Sequence, residues 1–150
     1  MKIQRKIIEY KYQILVFISF IISLFFNAII VKDYDEIKNF MGIDLFFFGL
    51  LSFLGGGILE FLIWTANPIA FCSLLFSKKN PKIGIILSII SFVIAISFTK
   101  WNEILVSESG QNGKIISLDV AFWIWITTIF LLIILNIYNL ILKLKIEKKK

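Results

Sequence analysis

The chain has no histidine and a single cysteine, Cys72. The first absence removes the commonest general base and the commonest metal ligand. The second rules out an intramolecular disulfide, and Cys72, inside an apolar run, reads as a small hydrophobe. No Cys/His cluster, phosphate-cradling glycine fingerprint or nucleophile elbow is present. Charge is also scarce, at 17% of residues, and it is missing from whole stretches. Tyr12 to Val31, Ile83 to Thr99 and Val120 to Leu142 hold no charged residue, and Leu45 to Ser77 holds only Glu60. A helix needs about 20 apolar residues to cross a hydrocarbon core of roughly 30 Å. Four such runs in 150 residues leave little chain for a soluble domain. The composition, 59% hydrophobic, agrees, since a soluble domain is nearer 45–50%. Residues 1–150 therefore read as a single integral membrane domain, with spans at about 12–31, 58–76, 83–99 and 120–142.

What charge there is gathers at the ends of these runs. The net value of +6 does not indicate a nucleic-acid partner. Basic residues beside spans set topology and touch anionic head groups, so the partner they imply is the bilayer. Lys2, Arg5, Lys6 and Lys11, then Lys78, Lys79 and Lys82, then Lys143, Lys145, Lys148, Lys149 and Lys150 fall on one side. Lys32, Lys38, Lys100 and Lys114 fall on the other, with most of the acids. The positive-inside rule places both termini in the cytoplasm and the loops 32–44 and 100–117 outside. An even number of spans is required, and four fits. The first run follows a basic start, but it is longer than the 7–15 residues of a signal peptide core and no A-x-A-like site follows. It reads as an uncleaved anchor and the first span. The expected fold is an all-α membrane protein, a compact bundle of four transmembrane helices.

The second run is too long for one straight span, about 50 Å as a single helix. Gly55, Gly56 and Gly57 mark the expected break. Residues 44–54 then form a short helix at the outer interface and 58–76 the span, a single kinked helix being the rival. In the loop 100–117, Ile104-Leu105-Val106 and Lys114-Ile115-Ile116 flank a turn containing Asn112-Gly113. That pattern predicts a small hairpin over 104–116, against an ordinary connector as the alternative.

Each span carries one small or polar stripe suited to helix packing in lipid. On the third it is Gly84, Ser88, Ser91, Ala95 and Thr99. On the first it is Ser19, Ser23 and Asn27, and on the fourth Thr128, Asn136 and Asn139. Trp64, Trp101, Trp123 and Trp125 read as interfacial anchors. The candidate functional or kink site is Glu60, Trp64, Asn67 and Pro68 in "EFLIWTANP". Glu60 and Asn67 project almost the same way with Trp64 between them. Pro68 deprives the Trp64 carbonyl of its helical donor, so a kink is expected near 67–68, with Asn67 satisfying the freed group locally. An ionisable residue in a span invites a functional reading. Glu60 either serves function or anchors to a loop lysine or to backbone N–H groups at the glycines.

At Trp64-Thr65-Ala66-Asn67-Pro68 and Phe122-Trp123-Ile124-Trp125, with Glu108-Ser109-Gly110 ahead of the last span, the chain resembles a family of small four-span bacterial membrane proteins. That family shares a W-x-A-N-P second span and aromatic residues at the start of the last. The likeness departs at Val120-Ala121, where a glycine is expected. It implies the four-span topology and no activity.

No catalytic residue, metal or cofactor is expected. Asp33, Asp35, Glu36 and Asp44 are the one cluster of acids and read as a solvated loop, against an enzyme acting on lipid. The expected function is a small non-enzymatic inner-membrane protein that binds a partner, as an accessory subunit or an immunity-type protein, with a protein partner or a homo-oligomer. The alternative is a small transporter, pore or holin-like protein built on Glu60, Asn67, Asn27 and Asn136 around a broken second span.

Overall fold

A computed structural model of the chain describes residues 2–107 and 110–148, with side chains from Tyr10 onward. Glu108 and Ser109 of the resemblance, Lys149 and Lys150 of the basic tail, and the side chains of Lys2, Arg5 and Lys6 lie outside the described residues. The protein is mostly helical but not all-α, because a four-stranded antiparallel sheet closes one end of the helices. Three helices are long and apolar enough to cross a membrane, over Ile58–Lys79, Pro81–Lys100 and Val120–Glu147.

Helix α1 (Lys2–Ser23) ends well before Val31, so a helical span over 12–31 is not what forms. Leu24 and Phe25 tighten the last turn by donating to Ile21 and Ile22. Strand β1 (Asn27–Asp33) follows, and Tyr34 at φ +51° turns it into β2 (Glu36–Met41). The apolar run was continuous, yet its second part is Ala28-Ile29-Ile30-Val31, three of four β-branched. A central strand buried on both faces shows no alternation and looks, in sequence, like more helix. Ala28, Ile29 and Val31 are indeed buried. β1 pairs with β2 on one side and with β4 (Asn112–Leu118) on the other, Val31 standing opposite Lys38 and Ile115. β3 (Glu103–Leu105) pairs with β4 as the expected hairpin, Ile104 opposite Gly113. Strand order is β2-β1-β4-β3. Two-stranded hairpins are marginal alone, and here the two complete each other.

The Gly42 and Ile43 amides donate back to Phe26 and Leu24 and start α2 (Gly42–Leu51). The Asp44 carboxylate caps it by accepting from the Met41 N–H at 2.8 Å. No residue of α2 is buried, and Phe47, Phe48 and Leu51 are more than half exposed. One 3-10 turn (Ser52–Gly55) follows, and the chain breaks at Gly56, φ +86°, a left-handed conformation that only glycine enters freely. The short helix and the break at the glycines are as the sequence indicated.

Helices α3 (Ile58–Trp64) and α4 (Ala66–Lys79) meet at Thr65. The kink falls before Pro68 rather than at 67–68. Pro68 sits in the first turn of α4, and its ring and missing N–H disturb the turn that precedes it. Thr65 bridges the break, its amide donating to Phe61 and its hydroxyl to Leu62. Pro81 opens α5 (Pro81–Ser97), where a missing donor costs nothing. Asp119 caps α6 (Val120–Glu147) by accepting from the Val120 N–H.

α4, α5 and α6 pack through small and polar residues. Gly84, Ser88, Ser91 and Ala95 are all buried along α5. Ser73 donates to the Gly84 carbonyl and Ser91 to the Ala66 carbonyl, both at 2.8 Å. The Asn136 amide, fully buried, donates to Ser73 and to the Leu132 carbonyl at 2.9 Å. α1 joins through Ser19 to Thr128 at 2.8 Å and through Gln13 to Ser77. Asn27, expected on the face of Ser19 and Ser23, is instead exposed at the start of β1. Cys72 is exposed on α4.

Candidate functional site

Between the sheet and the helices lies a chamber of about 570 Å³. The size is that of a small-molecule site, about 300–1,000 Å³. Each wall follows from a feature above. The break at Gly56 folds α2 back beside α3, bringing Phe46 within 6.1 Å of Trp64 (ring centroids). The early end of α1 leaves Phe20 and Ser23 at its edge, and β1 adds Ala28. The hairpin adds Ile104 and Leu105, and the adjoining ends of α5 and α6 add Phe98, Phe122 and Trp125. At the rim are Phe48, Leu51 and Leu54, exposed by 59%, 53% and 72% although they line the chamber.

Three of the four residues singled out from sequence line this chamber: Glu60, Trp64 and Asn67. Pro68 does not, and is exposed on α4. Among the described residues Glu60 is the one ionisable side chain in the lining. Its Oε1 accepts from the Leu105 backbone N–H at 2.9 Å, pinning β3 to α3. That donor is neither a loop lysine nor a glycine amide. Oε2 has no donor among the described residues. Gly57 is buried against the carboxylate.

Asn67 does not satisfy its own helix. Its Oδ1 accepts from the Trp125 indole N–H at 2.9 Å, a bond between α4 and α6 across the chamber floor. Trp64 stacks on Phe61 at 5.8 Å and 17°. Its Nε1–H is buried with no acceptor among the described residues. A buried donor left without a partner costs about 1–3 kcal/mol, so such a group calls for an explanation. Two tryptophans lie outside the lining: Trp101 packs on Phe98, and Trp123 is half-exposed.

Asn136 and the α5 seam lie deeper, in the helix core, and Asn27 lies on β1, so these residues do not converge with Glu60 on one path. Among the described residues no three acidic or cysteine side chains stand close enough to hold a metal ion. Asp33, part of the acidic cluster, is nearly buried under the sheet turn, taking a 2.6 Å bond from Lys38 and another from the Gln111 amide. This bond raises the Lys38 ammonium above its ordinary value, with partial desolvation opposing and the charges of Asp33 and Glu36 adding. Asp44 is spent on the α2 cap.

Sequence reasoning missed the chamber and its second indole, Trp125. The Phe122–Trp125 cluster was visible, but spacing alone assigned it to the membrane interface. Only the pairing of β1 with β4 and the return of α2 enclose it. No protein-family model, curated protein or solved structure matches the chain.

Proposed function

We propose that this is a four-span protein of the bacterial inner membrane that performs no chemistry and works by binding a protein partner, as an accessory subunit or an immunity-type protein. The fourth crossing is assigned to α1, whose apolar part, Tyr12–Ser23, covers about 18 Å at about 1.5 Å per residue, with the charged turns from Lys2 to Lys11 at the head groups. Lys78, Lys79, Lys82, Lys143, Lys145 and Lys148 lie at the end away from the sheet. Positive residues favour the cytoplasm, so that end and both termini face inward and the sheet faces outward. The likeness of Trp64–Pro68 to four-span proteins belongs to the same reading.

The observation that carries the binding role is β2. It is a six-residue edge strand with no further strand beside it among the described residues, and Tyr34 and Ile37 beside its turn are 80% and 67% exposed. A free edge offers a row of backbone donors and acceptors to an extended segment of another chain. Cross-linking in native membranes, followed by purification in nanodiscs and mass spectrometry, tests this. A stoichiometric second protein is expected, cross-linked at β2 and lost in Asn39→Pro, which removes an edge donor. A monomer or homo-oligomer, or capture indifferent to Asn39→Pro, overturns it. Liposome flux abolished by Glu60→Gln is the result that would install a transporter or pore instead.

A further inference from the structure

The chamber has a chemistry of its own, independent of the β2 edge. Its walls are aromatic and aliphatic, and its polar atoms are few and of definite kind. The Asn67 amide oxygen accepts from the Trp125 indole N–H. Two further open valences stand together on one helix. Glu60 and Trp64 are four residues apart on α3, so they share a face. Among the described residues Glu60 Oε1 takes the Leu105 N–H while Oε2 has no donor, and the buried Trp64 Nε1–H has no acceptor.

We propose that the chamber binds a neutral single-chain lipid whose head group both donates and accepts hydrogen bonds, a hydroxyl or an amide. The chain lies among Phe46, Phe98 and Phe122, and the head lies between Glu60 and Trp64. Each alternative head fails on a specific count. A carboxylate or phosphate would sit beside the Glu60 carboxylate with no lysine or arginine in the lining, an unpaired charge out of water. An ammonium would pair with Glu60 but has no lone pair to offer the Trp64 N–H. A bare hydrocarbon answers neither group. A hydroxyl or amide answers both. The source is the bilayer, because the rim residues Phe48, Leu51 and Leu54 are exposed apolar side chains in a chain with three membrane-length helices.

The test uses the full chain in phosphatidylcholine nanodiscs at pH 8. The probes are three lipids with the same dibrominated C18 chain, as monoacylglycerol, free acid and primary amine. Bromine quenches a nearby indole, and Trp64 and Trp125 line the chamber. Saturable quenching is expected from the monoacylglycerol at a mole fraction about tenfold below that of the acid, with the amine between. Trp64→Phe keeps the ring and removes the donor. Read through Trp125, it weakens the monoacylglycerol several-fold and leaves the acid unchanged. Glu60→Gln brings the acid close to the monoacylglycerol. Quenching that never saturates, equal curves for all three lipids in the unmodified protein, or tightest binding of the acid or the amine each overturn the proposal. The comparison among head groups needs no variant, so misfolding of a mutant does not shield it. Asn39→Pro, which breaks the β2 edge, leaves these curves unchanged.

Discussion

Replacing Gly84 by alanine probes the helix core most sharply, because two opposing effects of known size meet there. Alanine gains about 1 kcal/mol over glycine inside a helix. Here, however, a Cβ on residue 84 would land on the amide oxygen of Asn136. Asn136 is fully buried, and its nitrogen is held by Ser73 and the Leu132 carbonyl, so the amide has no free rotation. Overpacking of this kind costs about 1–3 kcal/mol. Gly84→Ala alone should therefore be neutral or destabilising by up to about 2 kcal/mol. Asn136→Ala removes one interhelical bond, worth about 0.6 kcal/mol on average in membrane proteins. It also removes an amide oxygen that is buried without a donor. With that amide gone, Gly84→Ala should become stabilising by about 1 kcal/mol. The coupling between the two sites is then about 1–3 kcal/mol. Reversible unfolding in mixed micelles, read by steric trapping, measures all four corners of the cycle. If Gly84→Ala changes stability equally in both backgrounds, to within about 0.5 kcal/mol, the packing described here is wrong.

Two further outcomes follow from the bonds at either end of the chamber. Trp125→Phe strips the donor from Asn67 and should cost about 0.6–1.7 kcal/mol in the same assay, while adding Asn67→Leu should cost little more, because the partner is already gone. On the sheet, the Lys38 value is raised by its bond to Asp33, so its contribution is complete below the ordinary value of 10.5 and fades as pH rises through the higher folded value. Thermal unfolding of the native chain and of Lys38→Met should differ at pH 8 and converge in strong alkali; a gap that stays constant with pH counts against the ion pair.

Residue type and run length foretold much of this molecule. Long apolar runs, one of them holding Glu60, located the three membrane-length helices. Gly55 to Gly57 marked the turn between α2 and α3, and two β-prone runs marked the β3–β4 hairpin, although Asn112-Gly113, expected in its turn, pairs with Leu105 and Ile104 inside β4. The spacing of Gly84, Ser88, Ser91 and Ala95 put them on one stripe, and that stripe is buried. These are local facts: chain length against bilayer thickness, backbone freedom at glycine, and the 3.6-residue period. Each is carried by a short stretch of sequence and needs no neighbour.

What only the tertiary structure decided depends on partners distant in the chain. Ala28 to Val31 could extend α1 or form a strand, and apolar periodicity does not separate the two. β4, more than eighty residues later, supplies the second ladder that makes β1 a central strand. Glu60 could have met a lysine, a glycine amide or water. It meets the Leu105 N–H, forty-five residues away, because β3 is carried there by that sheet. The indole of Trp125 was free to anchor at the interface until α4 and α6 packed and set Asn67 against it. Sequence alone thus located three helices long and apolar enough to cross a membrane and the glycine break between α2 and α3. The folded arrangement determined which polar atoms are answered within the chain and which, the Trp64 indole N–H and the Asn136 amide oxygen among them, are left open, since a hydrogen bond depends on where both of its atoms come to rest.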